Sequence, residues 1–408
     1  MEGNIEATGR VIGNVGVLDL RKATKETVAT IARVGNVGVM LVSPDTVALA
    51  GSIKVGNLGA VIEAPADARL INGQEVIGQD YFKDVTEPVD LVVNGSLYIE
   101  SEVPVDDIEK GLGSLAVNGE LTYPGNIAGA LQPKIRHVNG QTIPYAPGDR
   151  VVRGSLSVNE SFLRSIGDPI SLVVLGNLKL PEVVPNDLLS RSLAGLRVYG
   201  RVRCHEENAE TLYSLMGDSA GQPRMRIVLA GFELVERPLV LDNATLESLS
   251  SSKLYCTDRI EVGPGADEAL LDARIEGLAS DDIVLCPAVL RHAVAPKLAT
   301  LGTRAVFYEG ELWKVDDDQE LVGSRFDFTQ DKATLVVNGS LTIDPSIEPR
   351  VLADRLDKVH NFGYIECTRE QMGAIQARLG ISEGTLEHGA QSEDSDHVSV
   401  GNVGHLIL

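Results

Sequence analysis

The chain has 408 residues and a formal net charge of −22, with 58 acidic side chains against 36 basic ones. This balance argues against a nucleic acid or an anionic membrane surface as partner, because phosphate binding needs clustered lysine and arginine. Hydrophobic residues make up 43 % of the chain and aromatic residues only 4 %, which predicts an extensive core of small aliphatic side chains.

The opening residues give no indication of export. Residues 1–6 have neither the basic region nor the apolar stretch of a signal peptide, and no window of about 18 apolar residues predicts a membrane span. Four cysteines are too few for a disulfide scaffold. We therefore expect a cytoplasmic protein in which these cysteines are reduced, namely Cys204, Cys256, Cys286 and Cys367.

A short phrase of the form aliphatic-Gly-Asn-aliphatic-Gly marks both ends of the chain. It begins three times in the first 60 residues and once more near the last residue, at Ile12, Val34, Val55 and Val400. Its alternation of apolar and small or polar residues is typical of strands. We expect Asn14, Asn36 and Asn57 to stack at one inward position, where their amide groups can hydrogen-bond to one another and to buried backbone groups.

A longer strand-like phrase returns every 81 or 82 residues through the rest of the chain. Residues 91–99, 172–180 and 335–343 share it, and a second row follows each of them 24 residues later. The central positions of the first row are Gly95, Gly176, Asp258 and Gly339, and those of the second row are Gly119, Gly200, Asp282 and Gly363. A fixed period of this kind predicts stacked coils, so we expect one continuous solenoid over residues 1–408.

The period divides this solenoid into about five units. Their expected boundaries are 1–88, 89–169, 170–251, 252–332 and 333–408. Between the strand rows lie segments with helical spacing of apolar residues, at 209–216, 289–298, 349–356 and 369–379. Strand, short helix and strand at this spacing resemble the leucine-rich-repeat plan, although the consensus positions of that family are not kept. The predicted fold is an elongated, leucine-rich-repeat-like β/α solenoid with stacked parallel strands.

Three segments in the remaining third of each unit have hairpin signals. Residues 70–76, 138–143 and 307–313 each place a glycine between residues that favour strands, and the first two contain Asn-Gly, which favours type I′ turns. We expect these hairpins to project from one face of the solenoid.

The central glycines of the strand rows allow two interpretations. Glycine and aspartate both tolerate positive φ, which predicts a bulge or kink at each of these positions. The alternative is a paired-carboxylate site formed by Asp258 and Asp282 on adjacent coils.

No sequence motif predicts a catalytic, cofactor-binding or metal-binding residue. There is no phosphate-binding loop, and Cys204, Cys286 and Cys367 fall at one inward strand position where a core role is expected. The polar stretch 382–396 predicts a mobile loop. A weak metal site is the alternative there, with the candidates Glu387, His388, Asp394, Asp396 and His397.

These features predict a non-catalytic interaction scaffold whose outward strand face and hairpins bind a protein partner. Aromatic side chains dominate binding hot spots, so the expected contacts are Tyr98, Tyr199, Trp313, Phe362 and Tyr364. One alternative is a self-assembling filament or oligomer joined through the terminal coils, since the last strand would leave an open edge. Another is an enzyme of unknown reaction, with its site between an irregular segment and the strand face.

Overall fold

The computed structural model describes residues 10–217, 224–299, 302–388 and 400–408. These ranges consist of short strands, paired in parallel, and short helices, so the α/β character and the parallel pairing predicted from the sequence are confirmed. None of the described helices is long and apolar enough to cross a bilayer.

The strands run from 2 to 13 residues in length. Their bounds are β1 Arg10–Asp19, β2 Ile31–Val42, β3 Val55–Glu63, β4 Arg69–Ile77, β5 Val89–Ile99, β6 Leu112–Pro124, β7 Ile135–Asn139, β8 Thr142–Tyr145, β9 Arg150–Val152, β10 Leu156–Ser157, β11 Ile170–Val174, β12 Leu178–Lys179, β13 Leu193–Val198, β14 Val202–His205, β15 Met225–Val228, β16 Glu233–Val235, β17 Leu239–Leu241, β18 Lys253–Cys256, β19 Ile260–Val262, β20 Gly277–Ser280, β21 Ile283–Pro287, β22 Arg304–Tyr308, β23 Glu311–Val315, β24 Asp318–Leu321, β25 Ala333–Val337, β26 Ser340–Ile343, β27 Leu356–Asn361, β28 Tyr364–Cys367, β29 Leu379–Ser382, β30 Thr385–His388 and β31 Val400–Ile407.

The helices connect consecutive strands and mostly span one to three turns. Their bounds are α1 Lys25–Val28, α2 Val47–Ala50, α3 Val105–Gly111, α4 Ala128–Leu131, α5 Glu160–Arg164, α6 Asn186–Ser192, α7 Glu206–Met216, α8 Asn243–Ser248, α9 Glu268–Arg274, α10 Arg291–Val294, α11 Pro349–Arg355 and α12 Arg369–Arg378. Five 3₁₀ turns accompany them in the described ranges, at Gly125–Ile127, Gln132–Lys134, Ala288–Leu290, Ala295–Lys297 and Gly323–Phe328. All four helical segments predicted from spacing are therefore confirmed.

The strands assemble into eight parallel sheets within the described ranges. Their strand orders are β3-β2-β1-β31, β4-β5-β6-β7 with β8 also paired to β6, β9-β11-β13, β10-β12-β14-β15, β16-β18-β20, β17-β19-β21-β22, β23-β25-β27-β29 and β24-β26-β28-β30. Apart from β31 and β1, residues paired in neighbouring strands of a sheet are 20 to 24 positions apart in sequence. Gly95 of β5, for example, lies beside Gly119 of β6, with α3 as the return between the strands.

Apolar side chains lie on both sides of these sheets. The interior of each turn holds alternate strand residues, such as Leu91, Leu97 and Leu121, all at most 1 % exposed. The opposite faces also pack in places, and Val92 of β5 contacts a cluster that includes Val17 of β1. Both faces of a sheet are therefore partly apolar. One face packs against the helices and strands next to it in the sequence, and the other packs in places against a neighbouring sheet.

The final strand returns to the beginning of the chain. β31 pairs in parallel with β1, placing Asn402 opposite Asn14 and Leu406 opposite Leu18. His405 of β31 also lies 3.8 Å from the buried carboxylate of Asp19. The sheet that contains the first three strands is thus completed by the last one.

The hairpin prediction is wrong. Residues 70–76 lie within the single strand β4, and β7 and β8 both pair in parallel with β6 rather than with each other. β22 and β23 belong to different sheets. Asn72-Gly73 lies inside β4, and at Asn139-Gly140 the chain turns a corner between β7 and β8 without reversing, so these segments do not form hairpins.

The prediction of positive φ at the central strand positions is also wrong for most of them. Gly95 and Gly119 have φ of 145° and 139°, but the other four glycines do not fall in that region, and no described residue other than glycine does. Asp258 and Asp282 therefore have ordinary backbone conformations. The common constraint on the glycines is space, because a Cβ on Gly200 would lie 2.5 Å from the carbonyl oxygen of Gly176 one turn earlier.

The amide ladder forms, but on the exposed side of the strands. Asn36 Nδ2 donates to Asn14 Oδ1 at 2.5 Å and Asn57 Nδ2 donates to Asn36 Oδ1 at 2.7 Å, with all three side chains exposed. The prediction of an inward ladder is wrong, because Val15 and Val37, which follow the first two asparagines, occupy the interior side of the strands. A second ladder links Asn72, Asn94, Asn118 and Asn139.

The cysteine prediction is confirmed, since all four thiols are free and buried. Burial raises the pKa of Cys204 to about 11 and that of Cys286 to about 12, which keeps both protonated near neutral pH. In the stretch 382–396, Thr385–His388 form β30, so the mobile-loop prediction is wrong there. Asp394, Asp396 and His397 lie outside the described residues.

Candidate functional site

The most distinctive polar site is a basic cleft where sheet β10-β12-β14-β15 meets the next sheet. We call it the arginine cleft. It encloses about 270 Å³. Its lining residues are Asn177, Leu178, Lys179, Arg201, Val202, Arg203, Arg226, Thr257 and Asp281.

Strand register brings three of the cations into one row. Lys179 of β12 lies beside Arg203 of β14, and Arg203 lies beside Arg226 of β15. Neighbouring parallel strands are about 4.8 Å apart, and side chains at one register position share a face. A local excess of positive charge therefore follows from the sequence positions 179, 203 and 226 once the strands pair in parallel.

Two carboxylates from the following strands partly neutralise this row. Asp281 Oδ2 accepts a hydrogen bond from Arg203 at 2.8 Å, and Glu236 Oε1 lies 2.8 Å from the ammonium of Lys179. Glu236 is also 3.5 Å from Arg203, and Arg226 reaches Asp281 only at 3.9 Å. Four basic side chains, including Arg201, thus face two acidic ones.

Part of the donor capacity of the cleft is unused. Arg203 Nε is buried and has no hydrogen-bond partner among the described residues. The guanidinium of Arg201 takes part in none of the ion pairs found in the described ranges, although its backbone N–H donates to Asn177 Oδ1 at 2.8 Å. A guanidinium with free donors is a strong ligand for carboxylate or phosphate oxygens.

Tyr255 fixes the principal counter-ion of the cleft. Its hydroxyl donates to Asp281 Oδ1 at 2.7 Å. Burial, and then the adjacent Asp281 carboxylate, raises the pKa of Tyr255 well above its usual range, so the phenol remains a donor. Asp281 is thereby held between Tyr255 and Arg203, and its orientation does not depend on a ligand.

A second cleft, the aspartate cleft, lies between the next pair of sheets and encloses about 490 Å³. Asp258 and Asp282 both line it, as the carboxylate-pair interpretation requires. The other lining residues are Pro238, Arg259, Arg304, Asp316, Asn338 and Phe362. Sequence spacing did not indicate Asp316, because it lies between β23 and β24, outside the two strand rows to which Asp258 and Asp282 belong.

Arginines neutralise most of the aspartate cleft. Arg259 lies 2.7 Å from Asp316 and holds the pKa of that carboxyl below its usual range. Burial raises the pKa of Asp282, with the nearby Arg304 opposing the shift and Asp258 adding to it. Throughout the described ranges, no three His, Cys, Asp or Glu side chains are grouped as a metal site requires. The cleft contains paired charges in place of an open carboxylate pair.

The five predicted partner contacts differ in exposure. Tyr199 is 36 % exposed, whereas Trp313 is only 4 % exposed and packs 5.3 Å from the ring of Phe326. The expectation that Trp313 projects from the surface is wrong, because β23 places it in the interior of its turn.

The remaining three aromatic residues are half-buried beside charged groups. Tyr98 stacks on Tyr145 at 5.8 Å, and Phe362 lies 5.0 Å below the guanidinium of Arg304. The Tyr364 hydroxyl donates to Glu387 Oε2 at 3.2 Å. These partners within the chain account for the aromatic positions without an external ligand.

The basic residues of the arginine cleft were not predicted from the sequence. A signal for them was present, because Lys179, Arg203 and Arg226 recur at intervals of 24 and 23 residues, which match the spacing of paired strands. Overall acidity obscured it, since a net charge describes the whole molecule and does not reveal a local cluster.

Comparison with protein-family models, with curated proteins and with solved structures gave no match.

Proposed function

We propose that the chain is a non-catalytic binding scaffold, built as a β/α solenoid of about five units, that holds an acidic segment of a protein partner in the arginine cleft. The single observation that carries this proposal is the excess of cations over carboxylates in that cleft, within a molecule of net charge −22.

The repeated architecture is supported by the spacing of the amide ladders. Successive ladder asparagines are 22, 24 and 21 residues apart in the second ladder, and 22 and 21 apart in the first. The leucine-rich-repeat-like plan of strand, short helix and strand is compatible with these steps. A scaffold of stacked turns offers a long ordered surface and grows without a new core for each unit.

The ligand class is supported by the chemistry of the unused donors. Arg201 lines the cleft and its guanidinium takes part in none of the ion pairs of the described ranges, while Arg203, Arg226 and Lys179 add charge beside it. The carboxylate of Asp281 and the ammonium of Lys179, which also line the cleft, are each engaged by an oppositely charged side chain. Binding of carboxylates therefore fits the cleft better than a chemical step does.

The test is calorimetric titration of the full chain with hexaglutamate, and in parallel with inorganic phosphate. Hexaglutamate should bind, and added salt should weaken binding through screening. Arg201→Gln should weaken it about tenfold, because a hydrogen bond between charged groups is worth about 1.5 kcal/mol.

Arg191→Gln, which changes an exposed arginine of α6 outside the cleft, serves as the matched control. A wild-type chain that binds neither probe would contradict the proposal, as would equal affinities for the Arg201 and Arg191 variants. Binding of phosphate alone would restrict the site to small anions and remove the protein partner from the proposal.

A further inference from the structure

We infer that copies of this chain stack head to tail, with β31 of one copy pairing in parallel with β3 of the next. Among the strands that the structure describes, these two are the free edges of the sheet β3-β2-β1-β31. This goes beyond the proposed binding function and does not depend on it.

Both edges lack the features that normally prevent strand addition. β3 has nine residues, of which only Glu63 is charged, and β31 contains no Asp, Glu, Lys or Arg. Neither strand contains proline. Long, uncharged edge strands pair with other strands unless charge, proline or a bulge blocks them.

The apolar interior of the sheet is uncovered at its β3 end. Val15 and Val37 are 2 % exposed, but Leu58, the next residue in the same column, is 43 % exposed. The adjacent column repeats the pattern, with Met40 at 1 % and Val61 at 44 %. The next turn of the stack would bury both end residues.

β31 carries the residues that this next turn requires. In the existing sheet, Val403 lies opposite Val15 and Leu406 lies opposite Leu18, at the other ends of the same two columns. A second copy placed in the same register would set its Val403 on Leu58 and its Leu406 on Val61. Each pair of neighbouring strands in the extended sheet would then match two copies of the aliphatic-Gly-Asn-aliphatic-Gly phrase.

The amide ladder also has complementary ends. Each asparagine donates its Nδ2 to the Oδ1 of the strand before it, with Asn14 donating to Asn402 at 2.7 Å. Within the described ranges, Asn57 Oδ1 is therefore left as the acceptor at one end of the ladder, and Asn402 Nδ2 as the donor at the other. Stacking in register joins these two groups.

The glycines of β31 fit the same contact. A Cβ on Gly16 would lie 2.6 Å from the oxygen of Gly404, and a Cβ on Gly38 would lie 2.7 Å from that of Gly16. Gly404 itself has no described atom within 4 Å of this position. In the stacked copy its Cβ position would meet the oxygen of Gly59 at similar distance, so glycine is required there only when copies associate.

The contact joins two different edges and so cannot close within a pair of copies. Each added copy leaves one free β3 and one free β31, which produces an open filament. The new strand pair contains no like charges on facing strands, although every copy carries a charge of −22. We expect added salt to favour stacking by screening the remainder of that charge.

Sedimentation velocity of the full chain over a range of concentrations tests the inference. The wild-type mass should grow with concentration. Gly404→Ala should remain a monomer with an unchanged melting temperature, because the added methyl has free space within one copy. Gly51→Ala, at a position with equally free space beside α2, is the matched control and should assemble like the wild type.

A mixing experiment gives an independent result. Leu58→Lys should block the β3 edge, so this variant alone should also be a monomer. An equal mixture of Gly404→Ala and Leu58→Lys has one intact edge of each kind and should form pairs but no larger species. A wild-type monomer at all concentrations, assembly of the Gly404 variant or an absence of pairs in the mixture would each overturn the inference.

Discussion

At the scale of single residues, the strand corners require glycine mainly because the backbone of the neighbouring strand lies too close for a Cβ atom. Gly200 has ordinary φ, yet a Cβ there would meet the backbone of Gly176 and the side chain of Asn177. The sequence period located such positions correctly. It could not reveal their cause, because backbone conformation and close approach both favour glycine.

We expect Gly200→Ala to lower the free energy of unfolding by about 1–3 kcal/mol, because the methyl group overpacks the contact with Gly176. Gly129→Ala in α4 is the control, since no atom lies within 4 Å of its Cβ position. That change should be neutral or stabilise by up to about 1 kcal/mol. Urea denaturation measures both, and equal effects would contradict the steric explanation.

His360 should make stability depend on pH. Its Nδ1 accepts a hydrogen bond from the backbone N–H of Ile381 at 3.1 Å. Burial, and then the nearby Lys358, lowers the pKa of His360 below its ordinary value. The folded state therefore favours the neutral ring, and the unfolded state binds the proton first as pH falls.

The resulting stability is fully present above about pH 6.5 and is lost as the pH falls below it. We expect the free energy of unfolding to fall towards pH 5 with a slope of up to about 1.4 kcal/mol per pH unit from this group. His360→Gln should reduce that slope, whereas His292→Gln at an exposed site should leave it unchanged. An unaltered slope in the His360 variant would rule out this assignment.

At the scale of elements, β31 is attached to its sheet by one strand pairing and a few side chains. Val403, Leu406 and Leu408 pack against the cluster that contains Ile12 and Leu18. The sequence showed that this strand repeats the opening phrase. It did not show that the strand pairs within its own chain, because pairing partners far apart in sequence leave no local signal.

We expect a chain that ends at residue 399 to melt at a lower temperature than the full chain, because β1 then loses its neighbour. A synthetic peptide of residues 400–408 should restore much of the loss by pairing with β1. The same peptide with Val403→Asp should not, since it places a carboxylate in an apolar column. Thermal melting with and without each peptide decides the matter, and equal rescue by both would show that the pairing is not specific.

At the scale of the whole molecule, the sequence predicted parallel strands, short helical returns and an aliphatic core. It succeeded there because 81-residue periodicity and two-residue alternation are properties of the chain itself. It failed for the hairpins, because Asn139-Gly140 is equally compatible with a reversal and with a corner between β7 and β8.

The contacts between the cations of the candidate site and their counter-ions were beyond sequence prediction for a related reason. Arg203 and Asp281 meet across two sheets although they are 78 residues apart, and no period of the chain links an arginine to an aspartate. Charges that face each other between sheets depend on how the sheets pack. That packing is set by apolar residues such as Tyr255 and Ala279 at the junction.

The pairing of β31 with β1 has a consequence for biosynthesis. The ladder asparagines of the two strands are 388 residues apart, and at about 5–20 residues per second β1 leaves the ribosome roughly 20–80 seconds before β31. During that interval β1 exposes the same uncharged phrase that its own partner will later cover. Nascent chains on one messenger are therefore at risk of pairing with each other, and the first sheet is the last to be finished.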